Sequence, residues 1–173
     1  MENIQRYLET KPHLPQGVVG FFRKGDHVLI AERKKSSTGL AVKKYSGIGG
    51  RVGDQPEFVN ETHEDAMIRE AWEEVKVKVT SLIYMGNIKF LFPSDTKWNL
   101  DTSIYIIDDW EGEPQETESM RPEWVHKDEM PYDKMFTDNY LWVPKVLLGQ
   151  RVKAMTFHDS ASGVSEHLVE VEE

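Results

Sequence analysis

Residues 66–75 read AMIREAWEEV, a stretch in which Glu70, Glu73 and Glu74 stand three and four positions apart. On a helix, positions at that spacing are neighbours, so Glu70 meets both later carboxylates on one side. If water covers them, each like-charge pair costs only about 0.2–0.5 kcal/mol, and Arg69, four residues before Glu73, offsets part of it. A solvated acidic face is therefore one reading. The run SGIGGRVGD before the helix favours a second. Glycines let a backbone come close to a ligand and leave amide groups free to face an anion. Carboxylates beside such a loop suit a divalent cation carrying phosphate, and Mg²⁺ prefers oxygen donors shared with substrate phosphates.

The elements that must hold these groups follow from the pattern around them. Thr62 with Asp65 three residues on fits a capping box, so a helix is predicted over 62–75, with Ala66, Met67, Ile68, Ala71, Trp72 and Val75 as its apolar face. Residues 18–23 and 28–33 are β-rich runs joined by Lys24-Gly25-Asp26, which predicts a hairpin. Residues 34–61 are rich in Gly, Ser and Lys and predict a long loop system around one short strand. Strand-like runs cover 79–92, 101–108 and 123–126, with Pro93, Pro114 and Pro122 marking breaks. A second helix is predicted near 138–150, where Pro144 either kinks it or marks its first turn, and the alternation of 167–173 predicts a final edge strand. Strands on both sides of a long helix imply a mixed α/β sandwich.

Composition bounds the partners. The chain has 173 residues, with 21 Lys+Arg against 30 Asp+Glu, a formal charge of −9 that works against undirected binding to nucleic acid or anionic membrane. Lys34, Lys35, Lys43, Lys44 and Arg51 flank the glycine-rich run and are the local positive charge available to a polyanion. With no cysteine, any metal must be held by oxygen or imidazole, and the six histidines show no metal-ligand spacing. No apolar run approaches the roughly 18–20 residues that span a bilayer, and the N-terminus lacks the apolar core of a signal peptide. The expectation is a soluble, cytoplasmic protein, monomer or homodimer, whose partner is a small-molecule nucleotide.

The stretch GGRVGDQPEFVNETHEDAMIREAWEEV resembles the signature of the Nudix hydrolases: Glu61, seven intervening residues, then Arg69-Glu70 and Glu73-Glu74. Three positions depart from it. Ten residues separate Gly50 from Glu61 instead of five, an insertion around DQPEF that leaves Gly53 to take over part of its role. Ala71 is smaller than the usual aliphatic residue, and Lys76 stands where the family has glycine. The resemblance implies a Nudix-type α/β/α sandwich with a mixed β-sheet, one domain over 1–173 in which residues 1–15 form an N-terminal extension. It implies Mg²⁺, or Mn²⁺, held by Glu70, Glu73 and Glu74. Arg69 joins Glu73 and Glu74 in the catalytic set, one of these two glutamates takes the water proton, and Glu61 is the structural partner of Arg69. Gly49 and Gly50 lie in the substrate-facing loop.

A second resemblance, from about Gly17 to Val171, is to the MutT-homologue purine nucleoside triphosphatases, which hydrolyse oxidised purine nucleotides such as 8-oxo-dGTP to monophosphate and pyrophosphate. It is carried by Met120-Arg121-Pro122, Trp124, Met130-Pro131, Met135, Asp138, Trp142 and Pro144. It implies that Asp138 and Asn139 read the base, that Phe136 stacks on it, that Ser46 faces it and that Glu118 contributes to the metal site. The family has a second aspartate at Asn139, tryptophan at Phe136 and asparagine at Ser46. Asn139 offers a donor and an acceptor at any pH, and Phe136 keeps a stacking face with less area. By residue type alone, Asp138 and Asn139 equally suit a helix cap, and Phe136, Trp124 and Trp142 suit a core. The expected activity is Mg²⁺-dependent pyrophosphohydrolysis of oxidised purine nucleoside triphosphates. The alternatives are a Nudix hydrolase of a nucleotide sugar, dinucleoside polyphosphate or RNA 5′ end, and a non-catalytic nucleotide sensor. Net acidity counts against RNA, and the intact glutamates count against a sensor.

Overall fold

A computed structural model describes residues 1–35, 42–159 and 163–172. Alternating apolar residues in the first hairpin sort side chains onto two faces of a sheet. Strands β1 (Gln16–Lys24) and β2 (His27–Arg33) are joined by the expected turn, with Phe22 opposite Leu29. Val18, Phe22, Leu29 and Ala31 face one side, and Phe21, Val28 and Ile30 the other. β6 (Leu100–Glu111) runs parallel to β1 and continues the alternation, sending Tyr105 and Ile107 to the first face and Ile104 and Ile106 to the second.

Each face is closed by a helix. On the first, α2 (His63–Val75) buries Ala66, Met67, Ala71 and Val75; on the second, α3 (Asn139–Leu147) buries Trp142, Val143 and Val146. The expected α/β/α sandwich is thus formed around a mixed sheet of nine strands among the described residues, the central path running from β3 (Tyr45–Ser46) through β2, β1, β6, β5 (Lys78–Leu91) and β8 (Arg151–Phe157) to β9 (Glu166–Glu172). β5 (Lys78–Leu91) is antiparallel to β6 and parallel to β8 (Arg151–Phe157), and β9 (Glu166–Glu172) forms the anticipated edge.

The feature that makes room for a site is a split in the first hairpin. β1 and β2 stay paired only near their turn, over Phe22–Lys24 and His27–Leu29. Beyond it they diverge, and the two gaps are filled by short strands: β3 (Tyr45–Ser46) pairs with β2, and β4 (Ile48–Arg51) pairs with β1. The glycine-rich run therefore lies between two strands of the sheet, directly under α2. Of the loop system expected over 34–61, residues 36–41 lie outside the described residues. The rest holds two short strands instead of one.

α2 starts as the pattern predicts, with the Thr62 hydroxyl accepting from the Asp65 N–H at 3.1 Å and the Asp65 carboxylate accepting from the Thr62 N–H at 3.2 Å. Its buried face differs from expectation. Ile68 and Trp72 are exposed, and Glu70 and Glu74 are buried in their place. The helix turns about 100° per residue, so positions 67, 70, 71 and 74 share one side and 68 and 72 point away. At its C-terminus Lys76 adopts φ 61°, ψ 34°, the left-handed conformation that glycine takes without strain.

Other differences have local causes. Pro122 was expected at a break but lies inside β7 (Met120–His126), opposite Ala31 of β2. β7 pairs with β2 alone, so its outer side has no ladder bond for a proline to remove. Pro144 sits within α3, past the first turn. β8 was not anticipated. Neither was α1 (Glu2–Glu9), whose Ile4 packs with Leu91 and Phe157 in a separate cluster. Among the described residues no helix is long and apolar enough to cross a membrane.

Candidate active site

The split between β1 and β2 opens into a cleft of ≈ 380 Å³ whose walls include Gly49, Gly50, Glu70 and Glu74 at one end and Phe136, Asn139 and Trp142 at the other. That volume falls among sites that take small molecules. Similar hollows occur beside β7 and under residues 7–15, but neither is lined by the α2 carboxylates.

Arg69 organises the acidic end. Its Nε and Nη2 donate to the two oxygens of Glu61 at 2.9 and 2.7 Å, Nη2 also donates to the Arg51 carbonyl at 3.1 Å, and its guanidinium lies over the Phe58 ring. Nη1 donates to Glu70 at 3.0 Å and to Glu73 at 3.1 Å. Glu61 also accepts from the Gly53 N–H at 2.9 Å. These bonds hold the Glu61 carboxyl below the usual carboxylate range, chiefly through Arg69. Gly53 takes φ +63°, which puts its amide onto Glu61. The Gly53 amide thus ties the inserted loop to the Glu61–Arg69 pair.

Glu70 and Glu74 point into the cleft. Glu74 accepts from the Gly49 N–H and from Arg33 Nη1, both at 3.2 Å. Glu70 lies under Gly50 so closely that a Cβ there would sit 2.4 Å from its Oε1. Only glycine leaves the carboxylate room. Burial raises the pKa of both groups; Glu74 is pushed up to about 7, with the Glu70 charge adding to the effect and Arg33 opposing it. Two desolvated carboxylates four residues apart, the Glu70 charge raising Glu74 and the Glu73 and Asp54 charges raising Glu70, form a donor pair that a divalent cation would relieve.

The other expected ligands are not gathered there. Glu73 is half-exposed, and its carboxylate rests on Arg69. Glu118 is exposed on the β6–β7 connection, where it pairs with Lys35 at 3.4 Å. Among the described residues no three acidic or histidine side chains are close enough to enclose a metal. The donor set still fits a cation that keeps much of its shell for water and substrate phosphate, which is the habit of Mg²⁺.

The far end of the cleft is aromatic and amide-lined. Ser46 lines it from β3 and donates its hydroxyl to the Gly47 carbonyl at 2.9 Å. Phe136 presents its ring with Lys44 above it at 5.5 Å. Asn139 is buried and donates Nδ2 to the Phe136 carbonyl at 3.1 Å, and its Oδ1 has no partner among the described residues. Asp138 is placed differently: it is fully buried, outside the lining, and accepts from Trp142 Nε1 at 2.9 Å. Its side chain makes no capping bond to α3. Burial pushes its carboxyl up to about 6. Asp138 therefore positions the Trp142 indole, which packs edge-on against Phe21 and forms part of the cleft wall.

Several lining residues had no signal in the sequence. Arg33 ends β2 and follows no motif; of the basic residues flanking the loop, Lys34 instead pairs with Glu116. Trp98, Leu100 and Thr102 reach the cleft because β6 lies beside β1, and Asp54 reaches it from the end of the glycine-rich run.

Residues 11–146 match the NUDIX domain. An oxidized purine nucleoside triphosphate hydrolase of Danio rerio is 36% identical over 147 residues, covering 84% of this chain and 88% of its own. The Mus musculus protein of the same name is 31% identical at the same coverage. Among solved structures, the MutT protein from Bacillus halodurans superposes with a TM-score of 0.70 at 18% identity, over 91% of this chain and 98% of that one.

Proposed function

Because the chain belongs to the NUDIX domain family, we propose that it is a pyrophosphohydrolase that converts oxidised purine nucleoside triphosphates to monophosphate and pyrophosphate, and so sanitises the nucleotide pool. The observation that carries this reading is one cleft with two buried carboxylates under a glycine strand at one end and an aromatic wall with a buried amide at the other. The relatives from fish and mouse, whose names specify oxidised purine nucleoside triphosphates, support the substrate class.

Glu70 and Glu74 would hold the divalent cation that this family uses, most simply Mg²⁺. When bound, such a cation neutralises phosphate charge and acidifies water. The remaining work falls to the chain. Glu74, whose carboxylate faces the cleft beside Glu70, would accept the proton of the attacking water. Arg33 Nη1, already within 3.2 Å of Glu74, faces the phosphates as a fixed positive charge. Glu61 and Glu73 hold the Arg69 fork, and the fork holds Glu70 and the loop. Phe136 stacks on the base, Asn139 Oδ1 accepts from its N–H edge, and Asp138 keeps Trp142 in place.

The test is a substrate panel with Mg²⁺, comparing 8-oxo-dGTP, dGTP, 2-oxo-dATP, ADP-ribose and a capped RNA, with products resolved as pyrophosphate or orthophosphate. Preferred turnover of the oxidised purine triphosphates with release of pyrophosphate is the expected result. Preference for ADP-ribose or capped RNA assigns the cleft to another diphosphate.

A further inference from the structure

Among the described residues, two buried side-chain polar atoms have no hydrogen-bond partner: Thr102 Oγ1 and Trp98 Nε1. Both belong to residues that line the active-site cleft. Unpartnered buried polar groups are rare because they lose water and gain nothing in return. Two on one cleft, and none elsewhere among the described residues, call for a ligand that supplies the missing partners.

The surroundings of the hydroxyl are apolar. Thr102 is 2% exposed and lies on β6 between Gly17 of β1 and Ile88 of β5, with Ile104 next along the same face. A Cβ at Gly17 would sit 3.1 Å from Thr102 Oγ1 and 3.0 Å from Leu100 Cδ2, so the missing side chain at Gly17 leaves the hydroxyl flanked by Leu100. Leu100 is half-buried and is itself part of the cleft wall. Trp98, in the short turn before β6, is held edge-on against Phe92 at 5.6 Å, with Lys97 over its ring.

We propose that Thr102 Oγ1 and Trp98 Nε1 form a specificity pair that reads the carbonyl edge of an oxopurine; this deepens the nucleotide reading above and rests on it. An indole N–H only donates and a hydroxyl donates or accepts, so the pair is met by a ligand carrying hydrogen-bond acceptors. On the opposite wall Asn139 Oδ1 accepts. A guanine-type base has acceptors on one edge and N–H donors on another, and so satisfies both walls. An adenine-type base presents an amino donor where the pair requires an acceptor. Contact with Thr102 Oγ1 would require the flanking Leu100 side chain to turn aside.

The experiment uses the full chain with Mg²⁺ and compares Thr102→Val and Trp98→Phe with the parent. The probes are 8-oxo-dGTP and the 2-aminopurine deoxyribonucleoside triphosphate, which lacks the carbonyl. Loss of one neutral hydrogen bond to the ligand is expected to raise KM for 8-oxo-dGTP about three- to tenfold with kcat unchanged. KM for the 2-aminopurine compound stays as it was, and the Tm of Thr102→Val rises because an unpaired buried hydroxyl is gone. An unaltered KM ratio in both variants overturns the pair. So does a lower Tm for Thr102→Val with equal losses on both compounds, which makes the hydroxyl a structural group. If the parent hydrolyses neither triphosphate, the pyrophosphohydrolase reading fails by itself. Calorimetric titration with 8-oxo-dGMP against the 2-aminopurine monophosphate then decides the pair: weaker binding of the first alone supports it, and equal binding overturns it.

Discussion

Glu74→Gln is expected to stabilise the metal-free protein above neutral pH while abolishing turnover. Glu74 is 5% exposed, and its burial, reinforced by the Glu70 charge and opposed by Arg33 and the Gly49 amide, pushes its carboxyl from 4.5 up to about 7. A carboxyl with a raised folded-state pKa binds its proton more tightly in the folded chain than in the unfolded one. Its contribution is therefore most favourable below pH 4.5, is lost as pH rises towards 7, and is flat above that. The interval between 4.5 and about 7 is worth about 3 kcal/mol at pH 8. Glutamine is neutral at every pH but gives Arg33 a weaker acceptor, which leaves a net gain of about 2 kcal/mol at pH 8 and almost none at pH 5. In a chain of this size that raises Tm by about 4–8 °C. Thermal unfolding in EDTA at both pH values, followed by tryptophan fluorescence, measures it. A variant that gains equally at pH 5 and pH 8, or that is less stable than the parent at pH 8, refutes the reasoning.

Gly50→Ala brings a methyl group to 2.4 Å from Glu70 Oε1 and must push that carboxylate out of the cleft. Activity should fall by more than about 100-fold, or roughly 3 kcal/mol of transition-state stabilisation, and steady-state kinetics on the folded variant checks it. Lys76→Gly removes left-handed strain at the end of α2 and is expected to stabilise the protein by about 1 kcal/mol in urea unfolding, less a small loss from the Lys76–Trp72 contact. Asp138→Ala leaves the buried Trp142 Nε1 without its acceptor, at a cost of about 1–3 kcal/mol. Because Trp142 walls the cleft, this change should raise KM for purine substrates more than it lowers kcat.

The acidic helix was legible because its signals are local. A capping box and a fixed spacing of Glu61, Arg69, Glu70 and Glu74 are properties of thirteen consecutive helical residues and the loop before them. Gly53 and Lys76 were visible for the same reason, as departures from a pattern that constrains backbone conformation. The orientation of each carboxylate was not legible. That Glu70 and Glu74 turn inward while Ile68 and Trp72 face solvent depends on the Gly49 amide and Arg33, which come from other strands, and on how Arg69 of the same helix divides its bonds among Glu61, Glu70 and Glu73. Glu73 matched the spacing equally well but found its partner on its own helix. Asp138 illustrates the same limit, since its place in the sequence suits a cap or a base contact and its bond is to Trp142. The stretch of cleft wall made by Trp98, Leu100 and Thr102 required knowing that β6 lies parallel to β1, which no local pattern encodes.

The central claim is that Glu70 and Glu74 are tolerated side by side because a divalent cation binds them. Titration of EDTA-stripped protein with Mn²⁺, followed by electron paramagnetic resonance with and without a non-hydrolysable triphosphate, tests this directly. Uptake is expected to tighten with the nucleotide, to be lost in Glu70→Gln and Glu74→Gln, and to be largely kept in Glu73→Gln. Absence of uptake by the parent under both conditions, or unchanged uptake by Glu70→Gln and Glu74→Gln, would contradict it.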